Sequence, residues 1–336
     1  MSRATPRLSR ATPRPNGSVP RGAALISAMA LVMVVTSLTV GLAWLGYSAI
    51  ARLENQRDSG QARLLAQAMM DYARWILTSD LRGAMGGSAT MDHLSEPWAQ
   101  PIPHSRLNSL LGAQMTDQDL RQFGQASIAG QMVDEQARFN LEALVKADGL
   151  DARAADRLAR LTRAAGLSSQ EHQALLEQVL ALVGQTRLDG AGRRRLVGAG
   201  EVSVWQAFEQ RLLPGLGLEG PQQQALRRWL TWLPERTPIN VNTASAEVLQ
   251  AVLEMDSLST AERIVAQRDR IPFRSLAEFT SFMPPGQSFE TVQFDMKTKY
   301  FRAIGYAQFG RAEQAFEVLL RREGGRVSVV DYVVLD

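Results

Sequence analysis

The residues that could do chemistry are few and do not converge. The three histidines, His93, His104 and His172, lie in unrelated contexts. None belongs to an H-E-x-x-H pattern, which would set two imidazoles on one helix face for zinc. The chain has no cysteine, so it offers no thiol nucleophile, no thiolate metal centre and no disulfide. A P-loop, a dinucleotide glycine fingerprint and a G-x-S-x-G nucleophile elbow are all missing. The carboxylates are scattered, and Asp148-Gly149-Leu150-Asp151 is too short for an EF-hand loop. No residue is assigned a catalytic role, no stretch identifies metal ligands, and the chain reads as a non-enzyme. A membrane-bound enzyme would need a catalytic constellation that this sequence does not supply.

One stretch does dictate a physical outcome. From Ala23 to Ala51 no residue is charged, and a helix of about 20 apolar residues crosses a hydrocarbon core. Before it stand Arg3, Arg7, Arg10, Arg14 and Arg21 with no acid; after it come Arg52, Glu54, Arg57 and Asp58. The positive-inside rule puts the leader in the cytoplasm and the bulk of the chain across the membrane. A cleaved secretory signal would have a much shorter apolar region and then a small-residue site. Residues 2–14 repeat SRATPR, a composition too poor in apolar side chains to fold. The whole chain carries a formal charge of +3, and removing the leader's five arginines leaves −2. The high pI therefore belongs to the leader and gives no pointer to nucleic acid.

The junction Arg21-Gly22-Ala23 places a glycine between the basic leader and the apolar helix. It resembles the class III signal of type IV pilins and pseudopilins. The resemblance implies that a prepilin peptidase cuts after Gly22 and leaves Ala23 as the first mature residue, the usual site of N-methylation. The family generally has Phe or Met there, so Ala23 departs from the pattern. The fifth mature position is usually Glu, and here it is Ser27. Loss of that Glu is similar to one subtype, the K-type minor pseudopilins of the type II secretion system.

The elements follow from period and punctuation. Arg52 to Leu77 continues as helix, with Leu53, Leu64, Leu65, Ala68, Met69, Tyr72 and Ile76 as its apolar stripe. Residues 80–127 are rich in breakers, and EPWAQP reads as a loop. A strand is expected near 125–133. It leads into DEQARFNLEAL at 134–144, which resembles the family's DxQGRFNLN segment with Ala137 in place of Gly. Asn140 is a helix N-cap by type. Residues 141–235 read as consecutive helices, with a capping box at Ser168-x-x-Glu171 and Pro221 at a helix start. Trp205, Trp229 and Trp232 are expected in the core of that bundle.

Residues 238–282 read as three short helices, capped by Thr243, by Ser259-x-x-Glu262 and by Ser275-x-x-Glu278. The stretch resembles a helix-hairpin-helix module. Met255, Asp256 and Ser257 stand where the DNA-binding form has G-x-G. Between 238 and 285 four arginines face six acids, and non-specific DNA affinity rests on phosphate neutralisation. No nucleic-acid-binding residue is assigned. The competing reading is a single-pass membrane protein that uses this module to hold DNA during uptake. The K-type pseudopilins carry a similar INVNTAS module in a structural role.

The tail alternates with period two, and Gly324-Gly325 marks a hairpin turn. Tyr300-Phe301 matches the family's strand start in part, with Thr298 in place of Ser. The fold expected is α+β: a pilin-like long N-terminal helix packed on an antiparallel sheet, with a large all-α insert containing a helix-hairpin-helix (SAM-like) module. The expected divisions are a leader at 1–22, a transmembrane and amphipathic helix at 23–78, and the first part of the head at 79–140. The insert takes 141–285, with the hairpin module at 238–285, and the final strands take 286–336. The resemblance implies an inner-membrane protein with its N-terminus cytoplasmic and its bulk periplasmic. Its partners would be the I- and J-type minor pseudopilins, the prepilin peptidase and the inner-membrane secretion platform. No cofactor is required; calcium in the exported head is admitted because related pseudopilins bind it, with ligands unidentified.

Overall fold

In a computed structural model, residues 21–84, 90–111, 116–146, 149–197, 202–283, 290 and 293–335 are described. Most of the leader, residues 1–20, lies outside them. The chain divides into two compact units, Met1–Arg57 and Asp58–Asp336. One helix, α1 (Arg21–Leu81), enters the second unit at Asp58. Within the first unit its side chains from Ala24 to Ala43 are exposed, and its mean hydropathy makes it long and apolar enough to cross a membrane.

The second unit holds a five-stranded antiparallel sheet. Its strands are β1 (Ile102–Arg106), β2 (Ala126–Asp134), β3 (Tyr300–Phe309), β4 (Ala312–Glu323) and β5 (Arg326–Leu335), hydrogen-bonded in that order. β2 and β3 are neighbours although the whole insert lies between them in sequence. Their register runs from Phe301 opposite Asp134 to Phe309 opposite Ala126. β4 and β5 meet at Gly324-Gly325, with φ of 59° and 75°. Two consecutive positive φ values are those of a type I′ turn, which matches the strand twist.

The seam of α1 on this sheet differs from the expected stripe. Ala62, Ala66, Ala73 and Leu77 are buried, while Leu64 and Tyr72 are about half exposed, at 59% and 46%. Leu65, Met69 and Ile76 flank the seam. The reason is distance: alanine on the inner face lets the helix backbone approach the sheet, so larger side chains are displaced to the flanks. The sheet accommodates the rest through glycine. A Cβ on Gly305 would fall 2.2 Å from the Phe316 ring, and one on Gly130 would meet Met69 at 3.2 Å. Leu77, Trp98, Phe301 and Phe316 complete this core, each fully burying a large side chain worth about 1.5–3 kcal/mol.

The insert has its own core. It is built by α2 (Ala152–Ala164), α3 (Ser169–Gly184), α4 (Gly220–Trp229), α5 (Ala246–Val252), α6 (Leu258–Arg270) and α7 (Leu276–Ser281). Its buried set also includes Phe139, Phe294 and Met296. Two short parallel ladders tie it together, Phe139–Asn140 with Leu230–Thr231 and Ile239–Asn240 with Phe294–Asp295. The Ser168–Glu171 capping box is present, and Pro221 sits at the start of α4.

Four expectations need correction. A hairpin, Thr186–Leu188 with Arg194–Leu196, interrupts the consecutive helices, turned by Asp189-Gly190-Ala191-Gly192. Trp229 and Trp232 are in the insert core, but Trp205 packs with Leu233, Tyr300, Leu319 and Val333, where the insert meets the sheet. The cap of α5 is Ser245, not Thr243, because the Thr243 hydroxyl is committed to Asp134. Finally α6 begins at Leu258 after Ser257, which places Ser259 inside the first turn instead of at the cap.

Candidate functional site

Among the described residues, the buried polar groups that bind the insert to the sheet form a connected arrangement of chemistry-bearing side chains shared by the two family-like segments. Asp134 ends β2, and its Oδ2 accepts from Thr243 at 2.6 Å, Thr298 at 2.5 Å and Asn240 Nδ2 at 3.0 Å. Its Oδ1 accepts from the Gln136 amide at 2.7 Å. Asn240 Nδ2 also reaches the Asp92 carbonyl at 3.0 Å. Asn242 clamps Phe273 on both sides, donating to its carbonyl and accepting from its amide at 2.9 Å each. Asn140 accepts from the amides of Glu142 and Leu233 and donates to the Glu235 carbonyl. Thus the polar residues of DEQARFN and INVNTAS are spent on backbone, on one another and on Thr231, Thr237, Thr298 and Arg302 of neighbouring segments. A buried amide or hydroxyl left unpaired costs roughly 1–3 kcal/mol, which explains why each has a partner.

Two ion clusters extend this joint. In the first, Arg302 of β3 lies 2.9 Å from Glu135 and 2.9 Å from Glu209, while Arg138 adds a contact of 3.0 Å to Glu135. Burial pushes the Glu135 carboxyl up, but Arg138, Arg302 and Thr231 together hold it below the usual range. Glu209 is pushed up by burial against the pull of Arg302. In the second, Asp80 in the last turn of α1, Asp92 and Glu96 bring carboxylate oxygens within 4.8 Å of one another. Arg322 of β4 donates to Asp80 Oδ2 at 2.7 Å, to Asp92, and to the Thr298 carbonyl at 3.0 Å. Burial, then Glu96, raise the Asp80 carboxyl to about 6. Burial also raises Asp134 to about 6.

The hairpin module is closed by a different contact. Glu254 has φ of 56°, a left-handed conformation that costs a non-glycine residue of order 1 kcal/mol. Its carboxylate accepts from Arg153 Nε at 2.7 Å and Arg157 Nε at 3.1 Å, both on α2. Helix α2 therefore engages the hairpin, and the acid that caps α5 is held by two guanidinium groups.

The sequence-predicted residues are distributed as follows. Gly22 and Ala23 lie in the first turn of α1, and Ser27 lies exposed on it a turn later. The three histidines are not brought together: His93 stands beside Glu96, His104 beside Ser127 and His172 beside Thr162. The carboxylate trio was missed by sequence reasoning. Asp80 and Arg322 are 242 residues apart, and no local spacing announces them. An apolar groove of about 540 Å³ runs between α1 and the sheet, lined by Leu65, Met69, Tyr72, Trp98, Ile102 and Met132.

Calcium takes six to eight oxygen ligands. The trio does not fit the ion as arranged, because Asp80 and Asp92 are engaged by Arg322 and Glu96 Oε2 accepts from Trp98 Nε1 and the His93 amide.

The fold and joint define a pilin-like head carrying a helical insert. A family model described as "Type II secretion system (T2SS), protein K" matches residues 239–296, the span of the hairpin module and its closing ladder. The type II secretion system protein K of Pseudomonas aeruginosa is 30% identical over 327 residues, covering 92% of this chain and 91% of its own. The chain belongs to the type II secretion system protein K family, the K-type minor pseudopilins. A solved structure, the GspK-GspI-GspJ complex from enterotoxigenic Escherichia coli, contains a chain of the same fold at 19% identity. Its TM-score is 0.59, with 85% of this chain and 99% of that chain covered.

Proposed function

We propose that this chain stands at the tip of a short periplasmic pseudopilus, initiates its assembly and so supports export of folded proteins across the outer membrane. The observation that carries this reading is Ser27, a neutral hydroxyl in an unbroken apolar helix where related subunits have Glu. In related fibres that Glu pairs with the N-terminal ammonium of the subunit above. A lone charge at mid-membrane costs at least about 2.5 kcal/mol by insertion scales. A tip subunit has nothing above it, and a hydroxyl bonded to a backbone carbonyl one turn back avoids that cost.

The rest follows from the same reading. Prepilin peptidase cuts after Gly22 and frees the amine of Ala23, which receives the Glu of the next subunit. The chain sits in the inner membrane with its leader cytoplasmic, and its body is periplasmic, in contact with the secretion platform at the membrane. The proposed divisions are 1–22, 23–78, 79–140, 141–285 and 286–336, with the hairpin module as a structural joint. I- and J-type partners pack along α1, where Leu64, Met69 and Tyr72 face the groove or solvent. The protein needs no catalytic residue for this role.

The test is co-purification of the I- and J-type subunits with Leu64→Glu, Met69→Glu and Tyr72→Glu variants, read beside thermal stability. Loss of partner capture with an unchanged melting temperature supports the interface. Unchanged capture by all three variants contradicts it.

A further inference from the structure

The two edges of the five-stranded sheet are built differently. The β1 edge is blunted: the strand is five residues long, Pro103 lies inside it, Pro101 stands just before it, and its register with β2 shifts between Ile102 and Ser105. Short strands, prolines and bulges are the devices that stop a sheet edge from adding a further strand. The β5 edge runs for ten residues, Arg326–Leu335, without proline or glycine. Among the described residues no strand lies on its outer side. Arg74 of α1 takes the Val327 carbonyl at 3.4 Å. Beyond it the Tyr332 amide turns to its neighbour, Asp331 Oδ1, at 2.8 Å. No other backbone group of residues 328–335 has a partner outside the β4 ladder among the described residues.

The side chains agree with the backbone. Val329, Tyr332 and Val334 lie opposite Leu320, Val318 and Phe316 of β4, all three in the core beneath α1, so they share the sheet face on which α1 packs. They remain 47%, 38% and 46% exposed, an apolar stripe along a bare edge. On the opposite face the insert holds the strand. Val330 and Val333 pack with Trp205, and Asp331 accepts from the Ser203 hydroxyl. The extra residue in the β4–β5 register serves this packing and leaves the stripe on one face. A strand fixed at mid-length and open along its edge is pre-organised to receive another.

We propose that β5 is a strand-addition edge. It takes an extended segment of another protein, laid antiparallel, with apolar residues at alternate positions over Val329, Tyr332 and Val334 and an acid near its C-terminal end, beside Arg326. The chemistry of the edge selects this occupant. A row of free ladder groups is matched by an extended backbone and not by a helix, whose own backbone groups are already paired. Pairing in this sheet is antiparallel throughout, which brings the C-terminal end of an incoming strand to the start of β5. There Arg326 is exposed. Glu323, opposite it in the ladder, is engaged by Lys299 and Arg321, so the Arg326 charge is left for the partner. The acid of β5, Asp331, is turned to Ser203, so the middle of the edge asks for uncharged residues. This contact is separate from helix packing along α1, and either can exist without the other.

The experiment is fluorescence anisotropy of a labelled peptide of about ten residues that alternates Val with Thr and ends in Glu, titrated with the full chain in detergent. The natural chain is expected to bind it with a Kd below about 0.1 mM. Methylating alternate peptide nitrogens gives two frames. The frame whose nitrogens face β5 should lose binding and the other should keep it, a dependence that only a paired strand has. Tyr332→Pro removes an amide that is turned away from the ladder and should weaken binding at least about tenfold. Val329→Lys should do the same. Arg326→Glu should shift the preference to a peptide that ends in Lys. Melting temperatures are read beside each variant, and if Tyr332→Pro melts low, Val329→Lys at its half-exposed position carries the test. Four results overturn the proposal. They are no binding by the natural chain at about 1 mM peptide, equal binding in both methylated frames, binding that neither Tyr332→Pro nor Val329→Lys weakens, and self-association that Tyr332→Pro removes while the peptide stays free, which would make the occupant a second copy.

Discussion

The two ion clusters are buried alike and behave differently. Around Arg302 the cations Arg302 and Arg138 face Glu135 and Glu209, with Glu317 and Arg227 at the rim. Charges there are nearly matched, and Glu135 stays below its ordinary range despite complete burial. Around Arg322 the guanidinium pairs with Asp80 and Asp92, Glu96 stands beside them, and Asp134 adjoins through Asn240 and Thr298. Burial then wins, and Asp80, Asp92 and Asp134 are all raised. Within the Arg302 cluster Glu209 is also raised, while Glu135 is held down by Arg138, Arg302 and the Thr231 hydroxyl, so the direction of a shift follows how many donors and cations each carboxylate itself receives against its burial.

The largest expected break in this comparison is Arg302→Leu. It leaves Glu135 and Glu209 facing each other in a dry interior, and removing one partner of such a set costs about 3–5 kcal/mol. Urea unfolding of the full chain in detergent measures it. Retention of stability within about 1 kcal/mol would mean that the matched cluster contributes little.

The pH dependence sharpens the contrast. Asp80 has a folded pKa near 6 against an ordinary 3.8, so the folded state binds the proton more tightly than the unfolded state. Its contribution is fully present below about 3.8 and is lost as pH rises through about 6. Stability should therefore fall between pH 4 and pH 7, by about 2–3 kcal/mol from Asp80. Asp80→Asn should reduce that slope, leaving the share that Asp92 and Asp134 contribute. Glu135→Gln, in the matched cluster, should leave it in place.

Gly305→Ala tests the head apart from either cluster. The new methyl enters the Phe316 ring position at 2.2 Å, and overpacking of this kind costs about 1–3 kcal/mol. A smaller effect is expected at Glu254. Glycine there relieves the left-handed strain but releases Arg153 and Arg157, so Glu254→Gly should change stability by less than about 1 kcal/mol, whereas Glu254→Ala keeps the strain and should cost more. Equal losses in both variants would show that the ion pairs, not the backbone, dominate.

The sequence announced what is local. Ser168, Ser275 and Pro221 mark helix starts because capping chemistry acts within three or four residues. The glycine pair at 324–325 marks its turn for the same reason. The α+β fold and the family were legible because DEQARFN and INVNTAS are short, dense strings of polar residues that must all find partners. Legibility failed where a residue is claimed from afar. Thr243 looks like a cap, but Asp134, 109 residues away, takes its hydroxyl. The alanine seam of α1 was hidden because alanine carries little hydropathy, although it sets the distance to the sheet. Arg322 meets Asp92 across 230 residues, and no periodicity encodes such a pair.

The central claim is the tip position, and crosslinking within assembled pseudopili tests it most directly. A photoreactive residue at position 24, beside the freed amine, should capture the fifth-position Glu region of a neighbouring pseudopilin at one end of the fibre only. Capture from subunits distributed along the whole fibre would contradict the account.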